Sequence, residues 1–400
     1  MYNDDSVQKL SISVDEERKG KSMSNQSFAA GLEDVIAGTS DICFIDGVEG
    51  RLLYRGYDIH DLAKSATFEE VVYLLWYGAL PTHAQLAAFS KSLRAVGELP
   101  SPVIQFIKTA PKTAVPMEVL RTAISLLANY DADAHDMSRE ANLRKSLRLT
   151  SYIAQIVAAI GRVRAGKDVV MPRTDLSHAG NFLYMLFGKE PDGLDAQAFD
   201  VALTLHADHE LNASTFAARV TAATLSDMHS AITSAVGALK GPLHGGANEA
   251  VMRMLLEIGS PEQSAAWIRS ALANKVKISG FGHRVYRTLD PRAVHLKEMS
   301  AQLGQKYGQP QWVPMQETIQ QAILDQKKLY PNVDYYSATA YYSMGIPIDL
   351  FTPIFAVSRI SGWTAHVLEQ YGNNRIIRPR AEYTGATRAT WVPIDERQEA

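Results

Sequence analysis

The chain reads as an all-α protein, and three observations say so. Apolar residues recur three and four positions apart over most of the 400 residues, the period of a helix with one buried face. Strand signals are confined to one short region near the start. Between the helical stretches lie loops rich in Pro, Gly, Asn and Asp, the residues that end helices and build turns.

Residues 1–30 are polar and charged and lack the apolar core of a secretion signal, so they are expected to form a flexible arm. Ile42-Cys43-Phe44-Ile45 and Arg51-Leu52-Leu53-Tyr54 flank Asp46-Gly47-Val48-Glu49-Gly50, which predicts a hairpin turned by glycine. Residues 68–76 and 120–127 carry helical spacing, and 151–160 are apolar on most faces, as in a buried helix. Residues 218–238 are alanine-rich and predict one further core helix, whose small side chains let neighbours approach closely.

The hydrophobic fraction of 46% supports a substantial core. A net charge of -3 argues against nucleic acid or an anionic membrane surface as partner, so any anion recognition is local. The single cysteine, Cys43, permits no intrachain disulfide and suits a reducing compartment. Its apolar neighbours make it a buried structural thiol. No apolar run is long enough for a membrane helix, so a cytoplasmic protein is the expectation.

The most informative stretch is Gly280-Phe281-Gly282-His283-Arg284-Val285-Tyr286-Arg287-Thr288-Leu289-Asp290-Pro291-Arg292. Glycines let backbone approach a ligand, arginines grip carboxylates and phosphates in planar fashion, and a histidine among them donates a hydrogen bond or moves a proton. Together they point to an enzyme site for an anionic substrate. Two more segments accompany it: Gly241-Pro242-Leu243-His244-Gly245-Gly246-Ala247-Asn248-Glu249 and Tyr330-Pro331-Asn332-Val333-Asp334-Tyr335-Tyr336-Ser337. His206 and His209, three apart with Asp208 between, have the spacing of metal ligands on a helix but no further Cys or His cluster, so no metal site is expected.

In this order the three segments resemble the citrate synthase family. The likeness also takes in Ile45-Asp46-Gly47, Leu53-Tyr54-Arg55-Gly56-Tyr57, the stretch from His206 to Ser214, and Arg375-Ile376-Ile377-Arg378-Pro379. The resemblance implies a large helical domain (residues 31–240 and 340–400) and a small helical domain (241–339), with the active site in the cleft between. It implies condensation of acetyl-CoA with oxaloacetate and water to citrate and CoA, the entry step of the tricarboxylic acid cycle, with CoA as cosubstrate and no tightly bound cofactor or metal.

The family's roles carry over onto Asp334 as base, His244 as enolate stabiliser and His283 as the donor that polarises oxaloacetate. Arg292, Arg359 and His209 match oxaloacetate-binding residues, and Arg378 matches an arginine that crosses a homodimer interface. For CoA the matching or neighbouring groups are Lys277, Arg284 and Arg287, with the Gly280, Phe281 and Gly282 backbone along the pantetheine arm. Larger assemblies than the dimer stay open. A short polar arm in place of an extra N-terminal domain implies no NADH site.

Singly, these residues have plainer readings. His244 is then a turn residue, Asp334 an acid in a helix's first turn, and Arg359 and Arg378 surface ion-pair residues. The remaining histidines (His60, His83, His135, His178, His229, His295, His366) read as surface or packed residues, and the tyrosines 335, 336, 341 and 342 as core. The rival readings are 2-methylcitrate synthase, which uses propionyl-CoA, and a non-catalytic self-assembling protein on the same fold.

Overall fold

The computed structural model describes residues 29–32 and 35–397. The arm expected over residues 1–30 lies, but for its last two residues, outside them. The chain divides at 39/40 into two units. In the first, a single turn of 3-10 helix spans Ala30–Leu32, with Gly31 at φ +66°. All that follows concerns the second.

It opens with a three-stranded antiparallel meander, β1 (Cys43–Asp46), β2 (Arg51–Tyr54) and β3 (Tyr57–Asp58). The expected hairpin is there, shifted by one residue in its first strand. Asp46 Oδ1 accepts the N–H groups of Val48 and Glu49 at 3.0 and 2.9 Å, which closes the turn. Cys43 is buried, as expected.

The rest is helical: α1 (Ile59–Ser65), α2 (Phe68–Tyr77), α3 (His83–Arg94), α4 (Ser101–Thr109), α5 (Pro116–Leu127) and the long α6 (Arg139–Arg164). Then come α7 (His178–Phe187), α8 (Gly193–His206), α9 (Ala213–Ala223) and α10 (Met228–Leu239). The remainder are α11 (Ala247–Ile258), α12 (Pro261–Ala273), α13 (Pro291–Lys306), α14 (Trp312–Lys327), α15 (Val333–Ser343) and α16 (Phe351–Gly372). The fold is all-α with a minor sheet.

Side-chain caps start most of these helices: Thr67 for α2, Asp227 for α10 and Asn332 for α15 each accept a hydrogen bond from a first-turn amide. The single helix expected over 218–238 is two. Leu225 sits at φ +64°, where a helix cannot continue, and Asp227 restarts the chain by accepting from Ser230 N at 3.0 Å. Alanine-rich composition hid the break. The small residues still do what they promise, since Ala218, Ala222, Ala231 and Ala235 are buried in the packed α9–α10 pair.

α16 is the axis of the core. It is buried on nearly every face and packs against α2, α5, α6, α8, α9 and α10, so any polar group on it must find an internal partner. The expected domain boundary at 339/340 falls inside α15, which runs unbroken to Ser343. Among the described residues no helix is long and apolar enough to cross a membrane.

Candidate active site

The loop that carries His283 lies against the loop that leads into α15 and Asp334. Phe281 and Pro331 form an isolated antiparallel bridge. Gly282 N donates to Tyr330 O at 3.0 Å, Asn332 N to Gly280 O at 2.9 Å, and Asn332 Nδ2 to Gly282 O at 3.1 Å. Gly280 takes φ +84°, and a Cβ there would come within 2.7 Å of both Tyr335 and Val251. At Gly280, then, the missing Cβ lets two stretches of chain approach closely. Gly282 N and the Gly280 and Gly282 carbonyls are engaged in this pairing, while the Phe281 ring lies 4.5 Å from that of Tyr335, tilted by 57°.

The hairpin supports the same loop from another side. Arg287 N donates to Gly47 O at 2.7 Å, and a Cβ on Gly47 would lie 2.1 Å from Val285 O. Nδ1 of His283 accepts the Val285 and Tyr286 amides at 3.0 and 3.3 Å. Two N–H donors on Nδ1 leave the neutral ring's proton on Nε2. Burial, then the Arg292 charge, pushes this histidine down to about 4, so the ring is neutral at pH 7 and Nε2 is a donor.

Asp334 is half-buried in the first turn of α15. Asn332 is the N-cap, accepting from Asp334 N at 3.1 Å. Among the described residues no donor bonds to the Asp334 carboxylate. Burial pushes it up to about 7, against the pull of Arg292 and with the push of Asp290. A desolvated carboxylate without donors is a stronger base than one in water.

His244 lies in the turn between α10 and α11, its N bonded to Gly241 O at 2.9 Å. Its Nε2 is 2.7 Å from Ser214 Oγ. With the serine hydroxyl donating, Nδ1 carries the ring proton and is free to donate. Burial and then Arg359 lower this histidine to about 4.

Arg292 and Arg359 are each only 2% exposed. Arg292 has a carboxylate partner: Asp290, the N-cap of α13, binds its Nε and Nη2 at 2.9 and 2.7 Å. Arg359, on α16, donates from Nε to His206 O at 2.6 Å and lies 4.7 Å from the Phe355 ring. It has no carboxylate partner among the described residues, and burial lowers its pKa. A buried guanidinium in that state is a ready receptor for an anion.

His209 is buried, its Nε2 3.3 Å from Tyr286 Oη, and its ring 5.1 Å from that of His283. Burial, then Arg292, His283 and Arg359, hold it well below the usual histidine range. The charges of Arg292 and Arg359 both bear on His209 and Asp334. That of Arg292 bears on His283, and that of Arg359 on His244. Six of the expected residues therefore share one electrostatic environment.

The others stand apart. Lys277, Arg284 and Arg287 are exposed, and Arg378 is exposed in the extended stretch after α16. His206 closes α8, with Nδ1 2.7 Å from Ala202 O, while His209 follows in the next turn. The two do not share a helix face. Among the described residues no three His, Cys, Asp or Glu side chains gather as a metal ligand set.

Sequence reading gave no separate role to Asp290, Ser214 or His366. Asp-Pro-Arg at 290–292 carried a signal for the first, because aspartate before proline marks a helix start. His366 is fully buried and bridges Asp208 at 3.3 Å and Arg219 at 3.1 Å. Behind it Arg219 pairs with Glu369. This row of polar side chains holds Asp208, and with it the turn that presents His209.

The family model described as citrate synthase, C-terminal domain, matches residues 31–380. Citrate synthase 2 of Bacillus subtilis (strain 168) is 54% identical over 368 residues, covering 92% of this chain and 98% of that protein. 2-Methylcitrate synthase 1 of Corynebacterium glutamicum is 41% identical, over 94% of this chain and all of that one. Among solved structures, citrate synthase from Thermoplasma acidophilum, in a ternary complex with carboxymethyl coenzyme A and oxaloacetate, superposes with a TM-score of 0.87 at 34% identity, covering 93% of this chain and 100% of that one.

Proposed function

The chain belongs to the citrate synthase family, and from that premise we propose that it condenses acetyl-CoA with oxaloacetate and water to give citrate and CoA. It is an enzyme of the acyltransferase kind, in which the acyl group becomes an alkyl group on transfer. The observation that carries the substrate reading is a carboxylate, Asp334, that has no donor among the described residues and lies in the field of two buried guanidiniums, one of which, Arg359, has no carboxylate partner among them.

In this scheme Arg292 and Arg359 bind the carboxylates of oxaloacetate, His209 contacts it, and Arg378 of the partner subunit completes the site of a homodimer. Asp334 takes a proton from the acetyl methyl group. The electron pair moves to the thioester oxygen, where the Nδ1–H of His244 donates to the enolate. His283 donates from Nε2 to the keto oxygen, which raises the electrophilicity of the carbon the enolate attacks. Water then hydrolyses the citryl thioester. Neutral histidines suit this work, since each has a proton to donate.

Lys277, Arg284 and Arg287 are the exposed cations offered to the CoA phosphates, with the 280–282 loop along the pantetheine arm. Residues 241–339 are the small domain whose closure over bound oxaloacetate completes the thioester site and excludes water, which makes binding ordered. The reaction needs no tightly bound cofactor, and the cytoplasm is the expected compartment.

The relative named as a 2-methylcitrate synthase supports a second reading, with propionyl-CoA as the thioester. One methylene in an apolar pocket is worth only ~1–3 kcal/mol. Thiol release measured with acetyl-CoA and propionyl-CoA in parallel, with and without oxaloacetate, tests both. Release that needs oxaloacetate supports the condensation, and the ratio of the two rates names the substrate.

A further inference from the structure

The chemistry proposed above asks His244 to hold its ring steady while charge builds on the thioester oxygen. Its turn has an anchor that this scheme does not use. Thr352, buried in the first turn of α16, places its hydroxyl 2.9 Å from Gly245 O and 2.7 Å from Glu249 Oε1. The methyl group of the same side chain presses on the same residue. A Cβ added to Gly245 would come within 2.8 Å of Thr352 Cγ2 and 2.2 Å of Leu239 O. Gly245 is therefore wedged between the end of α10 and the start of α16, one residue after His244.

Glu249 lies in the first turn of α11. One threonine hydroxyl, with a single proton for two acceptors, thus sits where three pieces meet: the His244 turn, the start of α11, and α16. Seven residues separate Thr352 from Arg359, two turns of helix, so the two lie on the same side of α16. The distance between the enolate donor and the arginine that receives the anion runs through this contact.

We propose that Thr352 is a positioning residue, which fixes the His244 turn in register with the helix that carries Arg359. It touches no reacting atom. The inference rests on the condensation reading, and its test separates the two.

In the full-length protein, Thr352→Val keeps the shape and removes the hydroxyl, while Thr352→Ser keeps the hydroxyl. Thr352→Val is expected to lower kcat about tenfold, the loss of one hydrogen bond felt in the transition state. The KM for oxaloacetate should move less than about twofold, and Thr352→Ser should recover most of the lost kcat. Thermal melts establish that both variants fold. An unchanged kcat in Thr352→Val overturns the proposal, as does a loss in Thr352→Ser equal to that in Thr352→Val.

If the wild-type protein condenses nothing, the functional reading fails and the positional claim is read by 15N NMR of the His244 ring. Thr352→Val should shift the Nε2 resonance that reports the Ser214 contact. An unmoved resonance overturns the claim.

Discussion

The Asp290 carboxylate grips the Arg292 guanidinium at 2.9 and 2.7 Å, and its Oδ2 also accepts the Val333 amide at 3.1 Å. Val333 precedes Asp334. One buried carboxylate therefore orients Arg292, the proposed oxaloacetate ligand, and tethers the helix start that holds Asp334, the proposed base. Burial pushes Asp290 up, but Arg292 outweighs it and holds the group below the usual carboxylate range.

Asp290→Asn should leave Arg292 buried without a counter-charge. Breaking such a pair from one side costs roughly 3–5 kcal/mol. The denaturation midpoint should fall by a corresponding amount and the KM for oxaloacetate should rise. An unchanged midpoint would show that the pair carries no stability.

Asp334 titrates at about 7, well above its ordinary value near 4. The base must be ionised to act, so kcat/KM for acetyl-CoA should rise with pH through about 7 and level off above it. Stability runs the opposite way. A folded pKa above the unfolded one gives a contribution present in full below about pH 4 and lost as pH rises through about 7. Asp334→Asn should therefore melt higher than wild type at pH 8 and no higher at pH 4. A pH-independent difference would contradict the burial account.

His283 and His244 should both be neutral at pH 7, with opposite tautomers. Two backbone donors on Nδ1 put the proton of His283 on Nε2, and a Ser214 hydroxyl donating to Nε2 puts that of His244 on Nδ1. Ring 15N shifts report each directly. An imidazolium at either position, or the same tautomer at both, would refute the donor assignments.

Gly362→Ala should loosen the His209 turn. A Cβ there would stand 2.2 Å from Asp208 Oδ1 and 2.5 Å from Ala207 O, the carbonyl that accepts Gly362 N. Backbone must shift, which costs ~1–3 kcal/mol. Lower melting together with a raised oxaloacetate KM is the expected result. Normal values for both would mean the turn adapts without cost.

Much of this was legible in the chain, though unevenly. His244, His283 and Asp334 stand out because glycines, prolines and arginines surround them, and helical spacing marks α2 and α5. The α9–α10 break was not, because alanines on both sides mask a turn made by Leu225 and Asp227. Ser214 and Thr352 were silent, since their partners lie 30 and 107 residues away and nothing local marks them. His366 looked like any histidine without a motif. Its buried bridge between Asp208 and Arg219 exists only once α16 crosses the turn after α8.

The most direct test sets wild type beside Asp334→Asn and follows free thiol from acetyl-CoA with and without oxaloacetate. The account predicts rapid release by wild type only when oxaloacetate is present, and a rate lower by several orders of magnitude in a folded Asp334→Asn. Release that ignores oxaloacetate, or a variant as fast as wild type, would contradict it.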